Sequence, residues 1–177
     1  VNTLRKRRLR KRCLARLRDL PLPTPFDVHT LCARVAEQRG RPILLVPAPG
    51  LTGVCGLWIA TDTTDLICYE SDTTRPHQDH IILHELSHIL CDHYPISQTG
   101  ELDTHTLFPH LDPTMVRAVL GRAGYTTHEE REAETLASLI RQHATTRPDG
   151  TPQTRLHDAL DDTLDDTLNN DHRNHDG

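Results

Sequence analysis

His84-Glu85-Leu86-Ser87-His88 has the form H-E-x-x-H and lies within DHIILHELSHILCDHY, Asp79 to Tyr94. On an α-helix, side chains four apart project from one face, one turn apart. Two imidazole nitrogens placed in that way can reach one Zn²⁺ at about 2.0–2.1 Å. Glu85 is offset around the helix, off the metal but close to a metal-bound water whose proton a carboxylate can take. In a chain with 13 histidines the pattern can arise by chance, so its surroundings must be weighed. Ile81, Ile82, Leu83, Leu86, Ile89 and Leu90 supply an apolar face, with no Pro or Gly from 77 to 94. The bland alternative is a core helix with two hydrogen-bonded histidines, and such burial is costly unless the rings are paired.

A catalytic zinc site takes three protein ligands and keeps one position open. The longer form H-E-x-x-H-x-x-G-x-x-H needs Gly at 91 and His at 94, where this chain has Cys91 and Tyr94. His93 is one place off and is expected to face another way. The other common solution is a glutamate from a second helix, and HEEREAETLA is the place for it. Glu130 and Glu134 share a face, beside Ala133 and Ala137, whose small side chains permit close helix approach. Glu130 is the expected third ligand, and Glu134 is expected to hydrogen-bond a ligand histidine. Glu132, or a histidine among His93, His105 and His110, stays open as an alternative. Thr127-x-x-Glu130 also reads as a capping box, but Thr126-x-x-Glu129 offers the same box and frees Glu130. A solvated Glu/Arg face is the plainest reading of the segment.

These helices need elements to hold them. Residues 4–20 read as a strongly cationic helix with a partial leucine face, expected to pack those leucines on the domain. Thr24 as cap and Pro25 at the first position predict a helix over 25–39, closed by Gly40. RPILLVP, CGLWIAT and DLICYE read as three strands, the last two as a hairpin whose first strand could offer an edge to an extended substrate. An internal strand with both edges paired is the competing reading. DPTMVRAVLGRAGY reads as a short helix capped by Asp112, and Thr127 onward as a longer one with Ala133, Leu136, Ala137 and Ile140 on one face. The expected fold is α+β: a small, mostly antiparallel sheet of about three strands packed with helices, a zincin-like H-E-x-x-H helix and a second ligand helix. The expected organisation is a basic N-terminal helix or arm over 1–20, the metallopeptidase-like domain over 21–146 and an acidic low-complexity tail over 147–177, expected to be disordered.

The chain of 177 residues carries a formal net charge of −5, with the cations early and the aspartates late. Its five cysteines form no C-x-x-C, which argues for reduced thiols rather than a disulfide framework. No apolar segment resembles a signal peptide or a bilayer span, so a cytoplasmic protein is expected, with no membrane partner. No helix-turn-helix, zinc finger or aromatic platform supports nucleic-acid binding.

HELSHIL followed by EREAETLA resembles the ImmA/IrrE-type metallopeptidases, small bacterial gluzincin-like proteins with the patterns H-E-L-G-H and E-x-E-A-N-x-F-A. The resemblance covers roughly residues 25 to 145. His84, Glu85 and His88 match the first pattern, and Glu130, Glu132 and Ala133 match the second. Ser87 replaces Gly, Glu134 replaces Asn, and Leu136 replaces Phe. The resemblance implies zinc on His84, His88 and Glu130, Glu85 as general base, and proteolysis of a transcriptional regulator in trans. It also implies a stress, mobile-element or toxin–antitoxin setting. The rival expectation is a regulatory binding module with a structural metal site that cleaves nothing.

Overall fold

The computed structural model describes residues 2–51, 55–93, 116–120 and 125–146. Val1–Gln142 form one compact unit and His143–Gly177 a second. In the second unit the described residues are 143–146, where Thr146 Oγ1 donates to the His143 carbonyl at 3.2 Å. The sequence-predicted tail and the loop from Pro95 to Asp112 lie outside the described residues.

The first unit is α+β. Its elements run α1 (Asn2–Arg18), α2 (Val28–Arg39), β1 (Ile43–Ala48), β2 (Gly56–Thr61), β3 (Asp65–Glu70), α3 (Arg75–Leu90), β4 (Val116–Leu120) and α4, which begins at Thr127 and ends at Thr145. The sheet order is β1-β3-β2-β4. β1 runs parallel to β3, whereas β2 pairs antiparallel with both β3 and β4.

Alternation along the strands sorts the core into two faces. Trp58 and Ala60 of β2, with Ile67 and Tyr69 of β3, face the cluster that contains Ile82, Leu83, Leu86, Leu136 and Ile140. Leu57, Ile59 and Cys68 point to the other face, with Val46 and Leu66 beside them. Every residue of β2 is buried, as befits an internal strand. Asp65 fastens the sheet to α2. It is fully buried and accepts from Arg39 at 2.9 Å, Arg41 at 3.0 Å and the Trp58 indole at 3.1 Å. No helix among the described residues is long and apolar enough to cross a membrane.

The sheet has four strands rather than about three, and three further expectations need correction. The helix read over 112–124 is, at Val116–Leu120, a strand paired with β2. The Asp-Pro start signal there is local, and the open backbone edge of β2 outweighs it by satisfying a full row of donors and acceptors. β2 therefore has both edges paired and offers none to a substrate. Third, α2 starts at Val28 rather than at residue 25. Asp27 caps it, accepting from the Thr30 amide at 2.7 Å, in the capping role expected of Thr24. Gly40 closes α2 as expected, in the left-handed region at φ 63°.

The cationic helix α1 packs its leucines as expected, except Leu4, which is exposed. Cys13 and Leu17 are buried, and Leu9, Leu14 and Leu20 lie against the core. Arg16 donates to the Leu90 carbonyl at 2.9 Å, placing a cation at the C-terminus of α3.

Candidate metal centre

The centre is built from α3 and α4. Ile81, Ile82, Leu83, Leu86 and Ile89 bury α3 over most of its circumference. That burial sets the rotation of the helix and turns His84 and His88 toward α4. Ser87 is fully buried at the place where the resembling pattern has Gly, and its hydroxyl donates to the Leu83 carbonyl at 2.7 Å. On α4, Ala133, Leu136, Ala137 and Ile140 are fully buried, so the expected face is the packed one. The capping box is the earlier of the two candidates. The Thr126 amide donates to Glu129 Oε2 at 2.7 Å, and the Glu129 amide to Thr126 Oγ1 at 3.3 Å. Glu130 is thereby left for other work.

His84, His88 and Glu130 converge, each offering one ligand atom within 4.8 Å of the others. The two Nε2 atoms are 3.2 Å apart. Glu130 Oε2 lies 3.6 Å from His84 Nε2, and Oε1 lies 3.6 Å from His88 Nε2. Atoms bound at about 2.0–2.1 Å to a tetrahedral ion stand roughly 3.3 Å from one another, so the spacing suits such an ion.

The protons support the same fit. His84 Nδ1 lies 3.3 Å from Glu134 Oε2. A carboxylate only accepts, so Nδ1 carries the hydrogen and Nε2 of His84 is a bare lone pair. Behind His88 runs a second chain of contacts. His88 Nδ1 is 3.0 Å from His93 Nδ1, His93 Nε2 is 3.7 Å from Glu132 Oε2, and Arg12 donates to that oxygen at 3.1 Å. With the His93 Nε2–H turned to Glu132, His93 Nδ1 accepts from His88, and the Nε2 of His88 is bare as well. Glu130 Oε1 is buried and has no hydrogen-bond donor among the described residues. In these tautomers two Nε2 lone pairs and a carboxylate oxygen converge, an arrangement that a cation would stabilise. Burial, then the neighbouring His84 and His93, hold His88 down to about 2, so it stays neutral.

Glu85 is nearly buried, on the side of α3 that faces the start of β2. Gly56 makes room for it. A Cβ there would meet Ile81 Cγ2 at 2.5 Å and Glu85 Oε1 at 2.9 Å. A cavity of about 70 Å³, bounded by Gly56, His80, Ile81, His84, Glu85 and Glu134, is large enough for water.

Two features escaped the sequence reading. His93 was expected to face away, yet its ring meets the back of His88. Asp92, in the left-handed region at φ 55°, turns the chain after α3. The amides of Asp92 and His93 then donate back to the carbonyls of Ile89 and His88 at 3.2 and 3.1 Å. This 5→2 and 6→1 pair is a Schellman ending, and it folds His93 over the last turn. Residues C-D-H after an apolar helix were the available signal, although Asp is less usual than Gly there. Glu132, left open as a ligand, sits one layer back, against His93 rather than in the centre. Tyr125 stacks on His88, centroids 3.5 Å apart and planes 14° apart. Its hydroxyl is buried without a hydrogen-bond partner among the described residues, and burial, with the charges of Glu85, Glu130 and Glu129, raises its pKa. Nothing in its sequence surroundings marks it. His105 and His110 lie outside the described residues.

Comparison of the chain with family models, curated proteins and solved structures gave no match.

Proposed function

We propose that this protein is a zinc-dependent endopeptidase of the ImmA/IrrE-like kind, acting on a regulatory protein such as a transcriptional repressor. The convergence of His84, His88 and Glu130 on one point is the observation that carries the reading. Two neutral imidazoles and one carboxylate form a donor set typical of hydrolytic zinc. A zinc ion held there supplies Lewis acidity, acidifying a water and polarising a carbonyl oxygen.

The chain's own groups do the rest. Glu85 takes a proton from the attacking water on its carboxylate and delivers it to the amide nitrogen as the peptide bond breaks. The Gly56 gap and the adjoining cavity leave that carboxylate the room to do so. Glu134 and His93 keep the ligand histidines in the tautomers that expose Nε2. Tyr125 stays protonated at working pH, its ring stacked on His88.

Elemental mass spectrometry of the purified chain and of Glu130→Ala tests the metal. About one zinc per chain is expected in the wild type, with a clear loss in the variant. Glu85→Gln is expected to keep the zinc and to lose cleavage of a quenched fluorescent peptide library. A wild type that takes up no zinc at neutral pH, or a Glu85→Gln that cleaves like wild type, would refute the mechanism.

A further inference from the structure

A trough runs between α1 and the first turns of α4. One part encloses about 740 Å³, with Lys6, Leu9 and Arg10 on one side and His84, Glu130 and Arg131 on the other. A second part of about 700 Å³ continues past Arg5, Arg8 and His128. Lys6, Leu9, Thr127 and Arg131 border both parts, so the two adjoin. The trough therefore begins at the candidate metal ligands and leads away along the cationic helix.

Its electrostatics are one-sided. The helix α1 contains no acidic residue at all. Among the described residues Lys6, Arg10 and Arg131 make no ion pair. The carboxylates that line it, Glu130 and Glu134, lie at its His84 end, so the one-sided charge is that of the α1 wall. Clefts with one sign of charge concentrate ligands of the other sign. Leu9 adds an apolar contact between Lys6 and Arg10, which are one helical turn apart.

We propose that this trough is the substrate groove, and that it selects peptides with acidic side chains close to the bond presented to His84 and Glu130. The inference rests on the peptidase reading for the word substrate, but the groove itself can be tested without cleavage. A peptide fits better than a nucleic acid. Leu9 suits an aliphatic side chain, and the trough reaches the candidate metal ligands His84 and Glu130, where a peptide bond would have to lie.

The test uses the full chain carrying Glu85→Gln, loaded with zinc. Binding of three fluorescein-labelled twelve-residue peptides is followed by anisotropy. They share an Ala/Leu framework and carry Asp, Ser or Lys at alternate positions. The Asp peptide is expected to bind at least about tenfold tighter than the Ser peptide, with the Lys peptide weakest, and the preference should fade with added salt. Lys6→Glu/Arg10→Glu/Arg131→Glu is expected to abolish the preference. The milder Lys6→Gln/Arg10→Gln/Arg131→Gln is made alongside and should reduce it, with circular dichroism and zinc content as checks on folding. Equal binding of the Asp and Ser peptides overturns the proposal. So does an Asp preference that survives in both variants, or tighter binding of a random DNA duplex than of the Asp peptide. Cleavage is read separately on wild type. Asp-selective binding without cleavage would retire the peptidase reading and keep the groove, whereas cleavage without acid preference would do the reverse.

Discussion

Replacing His93 with Ala is expected to weaken metal binding, although His93 supplies no ligand atom to the centre. The structure sets the size of the effect. His93 Nδ1 stands 3.0 Å from the Nδ1 of His88, a residue with no solvent exposure. Removing the acceptor leaves a buried N–H unsatisfied, at a cost of about 1–3 kcal/mol. His88 can relieve that cost by moving its hydrogen to Nε2, which blocks the lone pair that the metal needs. The penalty therefore appears in affinity, as a loss of roughly 10- to 100-fold. Glu134 makes the matching contact to His84, but its side chain is 52% exposed. Water can replace it, so Glu134→Ala should cost under about fivefold. Competition with a chromogenic zinc chelator at pH 7.5 gives all the affinities on one scale. The expected order of damage is Glu130→Ala, then His93→Ala, then Glu134→Ala. His93→Asn, whose amide oxygen can accept the same hydrogen, should recover part of the loss. An affinity for His93→Ala equal to wild type, or the reverse order of His93 and Glu134, would refute the tautomer argument.

Gly56→Ala should leave the metal in place and cut cleavage, because the new methyl would press on Ile81 and Glu85. Overpacking of that kind costs about 1–3 kcal/mol, read as a lower urea midpoint beside unchanged zinc content, and retained activity would count against the placement of Glu85. Asp65→Ala should destabilise the fold by about 1–3 kcal/mol, since it removes a fully buried acceptor shared by Arg39, Arg41 and the Trp58 indole. A thermal midpoint within a degree or two of wild type would show that the network matters little. With chelator present, stability should also fall with acid. His88 is held down to about 2 by burial, while the unfolded chain takes that proton below about 6.5. Its contribution is thus complete above pH 6.5 and is lost going down at about 1.4 kcal/mol per pH unit. His80 and His93, lowered mainly by burial, act in the same direction. Urea midpoints that do not change from pH 7 to pH 5 would contradict this.

The parts of this fold that could be read in the sequence are those where local signals and burial agree. The H-E-x-x-H helix, the hairpin of β2 and β3, the Gly40 cap and the buried face of α4 are of this kind. Each has a periodicity or a cap that tertiary packing reinforces. Glu130 was legible for a subtler reason. The neighbouring Thr126 and Glu129 could satisfy the helix start, which released Glu130 toward the histidines. β4 was misread because its fate depends on a partner strand more than fifty residues away, and local propensity has no access to that edge. His93 was misjudged on helical geometry, which no longer applies once Asp92 takes the left-handed turn. Tyr125 was missed because a stacking contact across elements leaves no spacing in the sequence.

The role of the basic helix follows from the same geometry. As a bare solvated arm, α1 would need no contact with the centre. Instead it buries Cys13 and Leu17, and it meets both ligand helices through Arg12 on Glu132 and Arg16 on the Leu90 carbonyl. Arg12 is the outer end of the contacts that pass through Glu132 and His93 to His88. One turn earlier, residues of the same helix line the trough that opens on His84 and Glu130. A single cationic helix thus stands at the outer end of the support behind one ligand and forms one wall of the approach to the other two. Removing α1 should therefore loosen the metal as well as weaken the groove, so truncation cannot separate the two roles. Surface charge reversals at Lys6 and Arg10 can, because they leave Arg12, Cys13 and Leu17 in place.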